Sequence, residues 1–183
     1  NALKDLGIGI EDRVLVILPD SPEFAYSFFG AIKIGAVAVP TNPWMFAQDY
    51  EYLINDSRAR AIIVHESTLP EIEKIWDNTP FLRHIIVVGA PTGKALSYDS
   101  LIAMASDKLE AEKTTKDDVC FWCYTSGSTG NPKGAVHLQH DMITITERFV
   151  TPVLGMTEND LCFSAAKMFF SYGLGNSLYF PFR

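Results

Sequence analysis

The stretch Ser-Gly-Ser-Thr-Gly-Asn-Pro-Lys-Gly, from Ser126 to Gly134, carries the residue types that bind a phosphate chain. Its glycines allow tight backbone geometry and the close approach of a ligand, its hydroxyls donate hydrogen bonds, and Lys133 supplies a positive charge. Residues 119–140 contain no carboxylate, so an anion could lie there without like-charge repulsion. The composition predicts a phosphate-binding loop, although it also fits a flexible surface turn.

Two familiar nucleotide-binding motifs do not fit this chain. In a Walker loop started at Gly127, Pro132 stands where glycine is needed and Gly134 stands where a Ser or Thr would bind magnesium. The dinucleotide-binding motif that would start at Gly173 has Leu178 at its third glycine position. The predicted phosphate loop is therefore of another type.

A zinc finger is nearly matched by four residues: Cys120, Cys123, His137 and His140. The motif needs three to five residues between its histidines, and this chain has two. In a regular strand the two cysteines would point to opposite faces with Cα atoms about 10 Å apart, which excludes shared chelation and a mutual disulfide. We therefore predict no metal site and three small buried cysteines, Cys162 included. His137 is expected to be packed, and His140 to cap a helix that starts near Asp141.

Alternating apolar runs and helical patterns must position the loop. Strands are predicted at 14–18, 36–39, 61–64, 85–88 and 119–125, and helices at 22–34, 48–57 and 69–76. Strands that are apolar on both faces and alternate with helices are typical of a mainly parallel sheet covered by helices on both faces. The predicted fold class is α/β.

A charged segment divides the chain into two blocks. Residues 107–118 include eight charged side chains out of twelve and predict a solvated connection between a first α/β block, 1–106, and a block with the loop, 119–183. The second block is too short to bury a core of its own, so both are expected to belong to one domain. Residues 161–183 contain seven aromatic side chains and only two charges, so we expect a fragment of a larger protein.

Composition excludes several classes of protein. The 183 residues are 48% hydrophobic, which provides a core and excludes a disordered chain. The formal net charge of −7 has the wrong sign for a nucleic acid or an anionic membrane as main partner. Three cysteines are too few to staple the chain, and the uncharged run 34–48 is broken by Pro40 and Pro43, so we expect a cytoplasmic protein that does not cross a membrane. An oligomer is left open.

The segment from Tyr124 to Gly134, Tyr-Thr-Ser-Gly-Ser-Thr-Gly-Asn-Pro-Lys-Gly, resembles the signature loop of the acyl-adenylate-forming (AMP-binding) superfamily. Gly35 to Pro43 is similar to the first block of that family, so the resemblance spans nearly the whole chain. It implies part of the large N-terminal domain of an enzyme that uses ATP to convert a carboxylic acid into an acyl adenylate, which CoA ligases then transfer to CoA.

The resemblance also implies roles for individual residues. The phosphates of ATP would be bound by Thr125, Ser126, Gly127, Ser128, Thr129 and Gly130. Lys133 would follow the charge of the β- and γ-phosphates and act in catalysis, although in this family it can also serve to fix the loop. The magnesium ligand, the adenine pocket, the thiol channel and the missing C-terminal portion of the enzyme are expected outside this chain.

A second resemblance concerns the acid. Cys162 to Asn176 is similar to the aromatic segment of benzoate–CoA ligases, in which the acid pocket begins, so Ser171, Tyr172 and Gly173 are expected at a benzoate-like aryl acid. Ser171 stands where benzoate ligases often have alanine. Aromatic residues at this density are also typical of a core. The alternatives are a ligase for aliphatic acids, a non-catalytic nucleotide-binding module, and an interaction domain in which the loop is only a turn.

Overall fold

The computed structural model describes residues 1–126 and 130–182. The strands are β1 (Arg13–Ile17), β2 (Val37–Pro40), β3 (Ala61–His65), β4 (His84–Val88), β5 (Leu96–Ser97), β6 (Val119–Thr125) and β7 (Lys133–Leu138). The α-helices are α1 (Ala2–Asp5), α2 (Pro22–Lys33), α3 (Ala47–Ser57), α4 (Leu69–Glu73), α5 (Tyr98–Met104), α6 (Asp141–Ile145) and α7 (Ser171–Leu174). A 3-10 turn spans Trp76–Asn78, and π-helical turns span Thr146–Val150 and Gly175–Tyr179.

Within the described residues the strands form one seven-stranded sheet in the order β5-β4-β3-β1-β2-β6-β7. Every neighbouring pair is parallel except β6 and β7, which form an antiparallel hairpin. Helices α2 and α5 cover one face of the sheet, and α3 and α4 cover the other. The predicted α/β class, with a mainly parallel sheet between two helical layers, is confirmed.

Strand β1 shows why the central strands consist of apolar residues in succession. Val14 and Val16 pack into the cluster that contains α2, while Leu15 and Ile17 pack into the cluster that contains α3. All four side chains are fully buried. A strand whose successive side chains enter opposite cores has no solvent face, so polar residues cannot alternate with apolar ones.

The predicted elements lie close to the observed ones, but α4 has different bounds and several elements were not predicted. Helix α4 ends at Glu73 rather than at 76, and a 3-10 turn leads to Thr79, which precedes Pro80 and is therefore disfavoured in helical conformation. The sequence did not indicate α5, the two-residue strand β5 or the four-residue helix α7. It also did not indicate β7, because three of the six residues of that strand are exposed and it lacks an apolar run.

The cysteines of β6 depart from prediction because the strand is irregular. Val119 pairs with Leu138 and Phe121 pairs with His137, so Cys120 occupies a bulge and the alternation of side chains is shifted there. Cys120 and Cys123 are consequently buried in the same apolar cluster, and the prediction that they point to opposite faces is wrong.

The third cysteine and the two histidines also have defined surroundings. Cys162 is exposed, so the prediction that it is buried is wrong. The ring of His137 stacks on Phe121, with centroids 4.4 Å apart, as expected of a packed residue. His140 occupies the N-cap position of α6 without capping it, because its Nδ1 lies 2.8 Å from the Lys116 carbonyl oxygen instead.

The charged connection is mostly exposed, but it is tied to the first block. The Glu112 N–H donates to the Lys33 carbonyl at 2.8 Å, and the Lys4 ammonium lies 3.4 Å from the Glu112 carboxylate. Beyond the connection, β6 pairs with β2, so both blocks contribute strands to one sheet. Across the part of the chain that the structure describes, no helix combines the length and the apolar character needed to span a bilayer.

Tyr50 organises the turn between β2 and α3 from within the core. Its side chain is fully buried, and its hydroxyl donates to the Asn42 carbonyl at 3.0 Å and accepts from the Met45 N–H at 3.1 Å. Two polar groups of one turn are therefore satisfied by a single phenol, which fixes the turn relative to α3.

Replacing Tyr50 by Phe should destabilise the protein by about 1–3 kcal/mol, because both groups of the turn lose their partner while the ring still fills its space. The thermal midpoint of the full-length protein should therefore fall. Tyr26→Phe on α2 is the control, since the Tyr26 side chain is 67% exposed. Equal midpoints for the two variants would contradict the assigned role of Tyr50.

Candidate active site

The candidate site is a cleft of about 380 Å³ at the carboxyl ends of β2 and β6. From β2 the chain continues to β3 on the far side of β1, whereas from β6 it continues to β7 in the opposite direction. Such a switch in strand order is where open parallel sheets bind ligands. The cleft is lined by Pro40, Thr41, Asn42, Met45, Leu53, Cys123, Tyr124, Thr125, Ser126, Pro132, Phe169, Phe170 and Ser171.

Pro40 explains why the sheet opens at this point. The Val37 and Thr41 N–H groups donate to the carbonyls of Asp12 and Val16 on the β1 side, each at 2.9 Å. The backbone N–H and C=O groups of residues 38 and 40 therefore point toward β6. Ala38 pairs with Phe121, but Pro40 has no N–H with which to extend that ladder. Strands β2 and β6 therefore part beyond Ala38, and their ends become the walls of the cleft.

The two sides of the predicted phosphate loop meet at the base of the β6–β7 hairpin. Thr125 pairs with Lys133, its hydroxyl donates to the Lys133 carbonyl at 3.4 Å, and Thr125 and Ser126 both line the cleft. Lys133 is exposed. Gly130 has a φ of 103°, in the region that favours glycine. Three predicted phosphate-binding residues lie outside the described residues: Gly127, Ser128 and Thr129.

Helix α3 holds the base of this hairpin through two side chains that sequence reasoning missed. The Tyr52 hydroxyl donates to the Pro132 carbonyl at 2.9 Å, and the Tyr124 hydroxyl donates to the Asp56 carboxylate at 2.6 Å. Burial and the bond to Asp56 raise the pKa of Tyr124, so its hydroxyl stays protonated and remains a donor. The one available signal was the spacing of residues 52 and 56, which places them on one helix face.

The aromatic segment forms the other wall of the cleft. Phe169, Phe170 and Ser171 line it, with the Phe169 and Phe170 ring centroids 4.5 Å apart. Phe169 is buried and contacts Trp44 edge-on, at 5.7 Å between centroids. This wall consists of two rings inclined by 49° to each other, followed by one hydroxyl, that of Ser171.

Asp20 fixes the start of the aromatic segment. It lies just before α2, where Ser21 caps the helix by accepting from the Phe24 N–H. Asp20 instead accepts a hydrogen bond from the Met168 N–H at 2.9 Å and lies 3.7 Å from the Lys167 ammonium. A carboxylate at the end of one central strand thus sets the position of a wall 148 residues further along the chain.

The structure places the three predicted acid-pocket residues differently. Among the described residues that line the cleft, Ser171 is present, but Tyr172 and Gly173 are not. The Tyr172 side chain is 73% exposed. Gly173 is buried, and a β-carbon there would collide with the carbonyl oxygens of Ala166 and Lys167, so it permits close packing of the backbone.

The cleft therefore brings hydroxyls of the loop and an aromatic wall to one place. Such an arrangement can hold a planar apolar group next to an anion bound by the loop. In the ranges 1–126 and 130–182, no group of three or more His, Cys, Asp or Glu side chains is arranged to hold a metal ion.

The fold is that of the N-terminal domain of adenylate-forming enzymes. The chain belongs to the family described as AMP-binding enzyme, which matches residues 1–183. It is 45% identical over 176 residues to the benzoate–CoA ligase of Thauera aromatica, which is 96% of this chain and 33% of that protein. The resemblance noted in the sequence is confirmed at the level of the family and of its benzoate–CoA ligase branch.

Solved structures agree with this membership. The anthranilate CoA ligase AuaEII, in complex with anthranoyl-AMP, superposes with a TM-score of 0.96 at 42% identity, over 99% of this chain and 35% of that one. A benzoate CoA ligase from Burkholderia xenovorans LB400 superposes with a TM-score of 0.87 at 35% identity, over 98% of this chain and 35% of that one. The chain thus spans about a third of the length of the relatives it matches.

The cysteines should differ sharply in reactivity. Burial raises the pKa of Cys120 to about 12 and that of Cys123 to about 11, and the thiolate is the reactive form. At about pH 8 both are protonated thiols, and they ionise only as the pH rises toward those values. Timed alkylation of this folded chain, read by peptide mass spectrometry, should therefore modify Cys162 and spare the other two.

Denaturant is the control for this experiment, because all three cysteines should then react. Modification of Cys123 as fast as Cys162 in the folded chain would contradict the burial of β6.

Proposed function

We propose that this chain supplies the phosphate loop and one wall of the acid pocket of an ATP-dependent ligase that joins benzoate, or a similar aryl acid, to CoA. The observation that carries the proposal is the shared cleft: Thr125 and Ser126 of the loop and Ser171 of the aromatic segment line one cavity. Its relatives are named as ligases for benzoate and anthranilate, which are single-ring aromatic acids.

In the proposed first step a carboxylate oxygen of the acid attacks the α-phosphorus of ATP. A new P–O bond forms, the bond to the pyrophosphate group breaks, and negative charge grows on the departing pyrophosphate. Thr125 and Ser126 line the cleft. The Ser126 hydroxyl would donate to a phosphate oxygen, and the Thr125 hydroxyl would do so in place of its bond to the Lys133 carbonyl, together with the predicted donors at residues 127–130. Donors held in place before the reaction stabilise this developing charge more than the ground state.

On the acid side the chain provides shape and one polar group. A carboxylate is already ionised at neutral pH, so no side chain need act as a general base. The ring would lie against Phe169 and Phe170, and the Ser171 hydroxyl would bind a polar group of the acid. Tyr172 and Gly173 remain proposed neighbours of the acid through their position next to Ser171.

The second step and the ions complete the proposal. The thiol of CoA would attack the carbonyl carbon of the acyl adenylate and displace AMP, in a channel that residues outside this chain complete. Mg²⁺ would accompany ATP, with its protein ligand also outside this chain, so no step here is assigned to it. A cytoplasmic location belongs to the proposal, since free thiols fit a reducing compartment.

Acid-dependent ATP–pyrophosphate exchange by the full-length protein tests the proposal. We expect exchange that requires both ATP and an aryl acid. Protection of the loop from proteolysis by ATP, without exchange, would instead identify a nucleotide-binding module. If ATP gives no protection and no exchange occurs, the loop is only a surface turn and the proposal is rejected.

Lys133→Ala should slow acid-dependent exchange about ten- to a hundredfold, because one charge-assisted contact to a phosphate is worth roughly 1.5–3 kcal/mol. The thermal midpoint should not change, since Lys133 is exposed. Lys113→Ala, which removes an exposed lysine of the charged connection, is the matched control. Exchange that is equally fast in both variants would remove Lys133 from the mechanism.

Phe170→Ala should weaken adenylation of aryl acids more than that of straight-chain acids. Aromatic packing contributes about 0.5–1.5 kcal/mol beyond the buried area, and only a ring can use it. Tyr172→Ala should act in the same direction if that ring completes the wall. The measurement is kcat/KM for benzoate, ring-substituted benzoates and a series of straight-chain acids. If the wild type prefers straight-chain acids, the proposed aryl specificity is rejected and only the proposal of an acid–CoA ligase remains.

A further inference from the structure

We infer that Tyr52 and Asp56 of α3 are positioning residues for the phosphate loop: together they hold both strands at the base of the loop against one rigid helix. This inference rests on the proposed function, because it assigns to these residues a role in ATP use. Neither side chain lies among those that line the cleft, so their effect must pass through the hairpin.

The two contacts reach opposite sides of the loop. Tyr52 donates to the carbonyl of Pro132, the residue directly before Lys133 on the outgoing side. Asp56 accepts from the hydroxyl of Tyr124, which directly precedes Thr125 on the incoming side. The partners are separated by 80 and 68 residues, so both contacts are tertiary and belong to the position of the hairpin in the fold.

Helix α3 is suited to serve as a fixed reference. It spans 11 residues, and its inner face is buried through Tyr50, Leu53 and Ile54. Because residues 52 and 56 are one helical turn apart, their side chains extend from one face of an element that the core holds in place. Two hydrogen bonds from one face of α3 fix the distance of the hairpin base from the helix and also restrict its rotation.

Gly134 allows the Tyr124 ring to reach α3. A β-carbon at residue 134 would lie 3.3 Å from the Trp122 ring and 3.7 Å from Tyr124 Cζ, so both rings pack closely over the glycine. Trp122 and Tyr124 belong to the side of the sheet that α3 covers. A glycine at position 134 thus leaves room for the Tyr124 ring to lie across the hairpin, which lets the Tyr124 hydroxyl reach Asp56.

The protonation of the phenols agrees with this arrangement. Burial and the neighbouring Asp56 carboxylate raise the pKa of Tyr52 and of Tyr124, so both hydroxyls remain donors at neutral pH. The carboxylate is thereby held on the helix side of the hairpin. The base of the hairpin is therefore held in position before ATP binds. Less of the free energy of ATP binding is then needed to order the donors of the loop.

The test uses Tyr52→Phe, Asp56→Ala and Asp56→Asn in the full-length protein. Tyr52→Phe removes one oxygen and should lower kcat/KM for ATP about three- to tenfold, the value of one hydrogen bond, while KM for the acid stays unchanged. Asp56→Ala should act similarly, and Asp56→Asn should restore most of the loss because an amide oxygen still accepts from Tyr124. Tyr26→Phe, at an exposed position of α2 in the other helical layer, is the control.

A second readout does not depend on activity. Without nucleotide, trypsin should cut after the exposed Lys133 several times faster in Tyr52→Phe and Asp56→Ala than in the wild type or Asp56→Asn, because the base of the hairpin is released. Equal cleavage rates together with equal ATP kinetics would overturn the inference. Absence of acid-dependent exchange in the wild type would reject the proposed function instead, and the cleavage rates would still decide whether α3 holds the hairpin.

Discussion

The missing N–H of Pro40 is the constraint on which the site depends. Residues 38 and 40 of β2 face β6, and the ladder between these strands ends after Ala38 because the next inward residue has no donor. A residue with an N–H at position 40 could carry the pairing on and close the sheet where the cleft now lies. The cleft is therefore specified by one residue of a central strand, before any ligand-binding side chain is considered.

Helix α3 converts that opening into a site of defined shape. Its buried Tyr50 fixes the turn at Asn42 and Met45, which line the cleft, and its outer face holds the hairpin that carries the loop. One helix thus sets the positions of two walls relative to each other. Because the helix is itself anchored by core packing, the hydrophobic interior is what determines the geometry of the polar site.

The parts of the molecule that sequence could predict are those with a local cause. Buried strands and amphipathic helices have a periodicity that can be read within ten residues. The contacts of Asp20 with the aromatic segment and of Tyr52 with Pro132 join residues 148 and 80 positions apart, and no periodicity encodes them. The bulge at Cys120 was missed because strand alternation assumes regular pairing.

Charge placement explains how an acidic chain can offer a site for anions. The proposed reaction brings a carboxylate against a triphosphate, and two unit charges 4 Å apart repel by about 4 kcal/mol at an effective dielectric constant of roughly 20. In the proposed reaction a carboxylate among residues 119–140 would add a repulsion of that size, and none occurs there. Asp56 and Asp20 approach the site, but their charges are bound on its outer side by the Tyr124 hydroxyl and by the Met168 N–H. The absence of carboxylates from this hairpin therefore suits it to the anionic substrates of the proposed reaction.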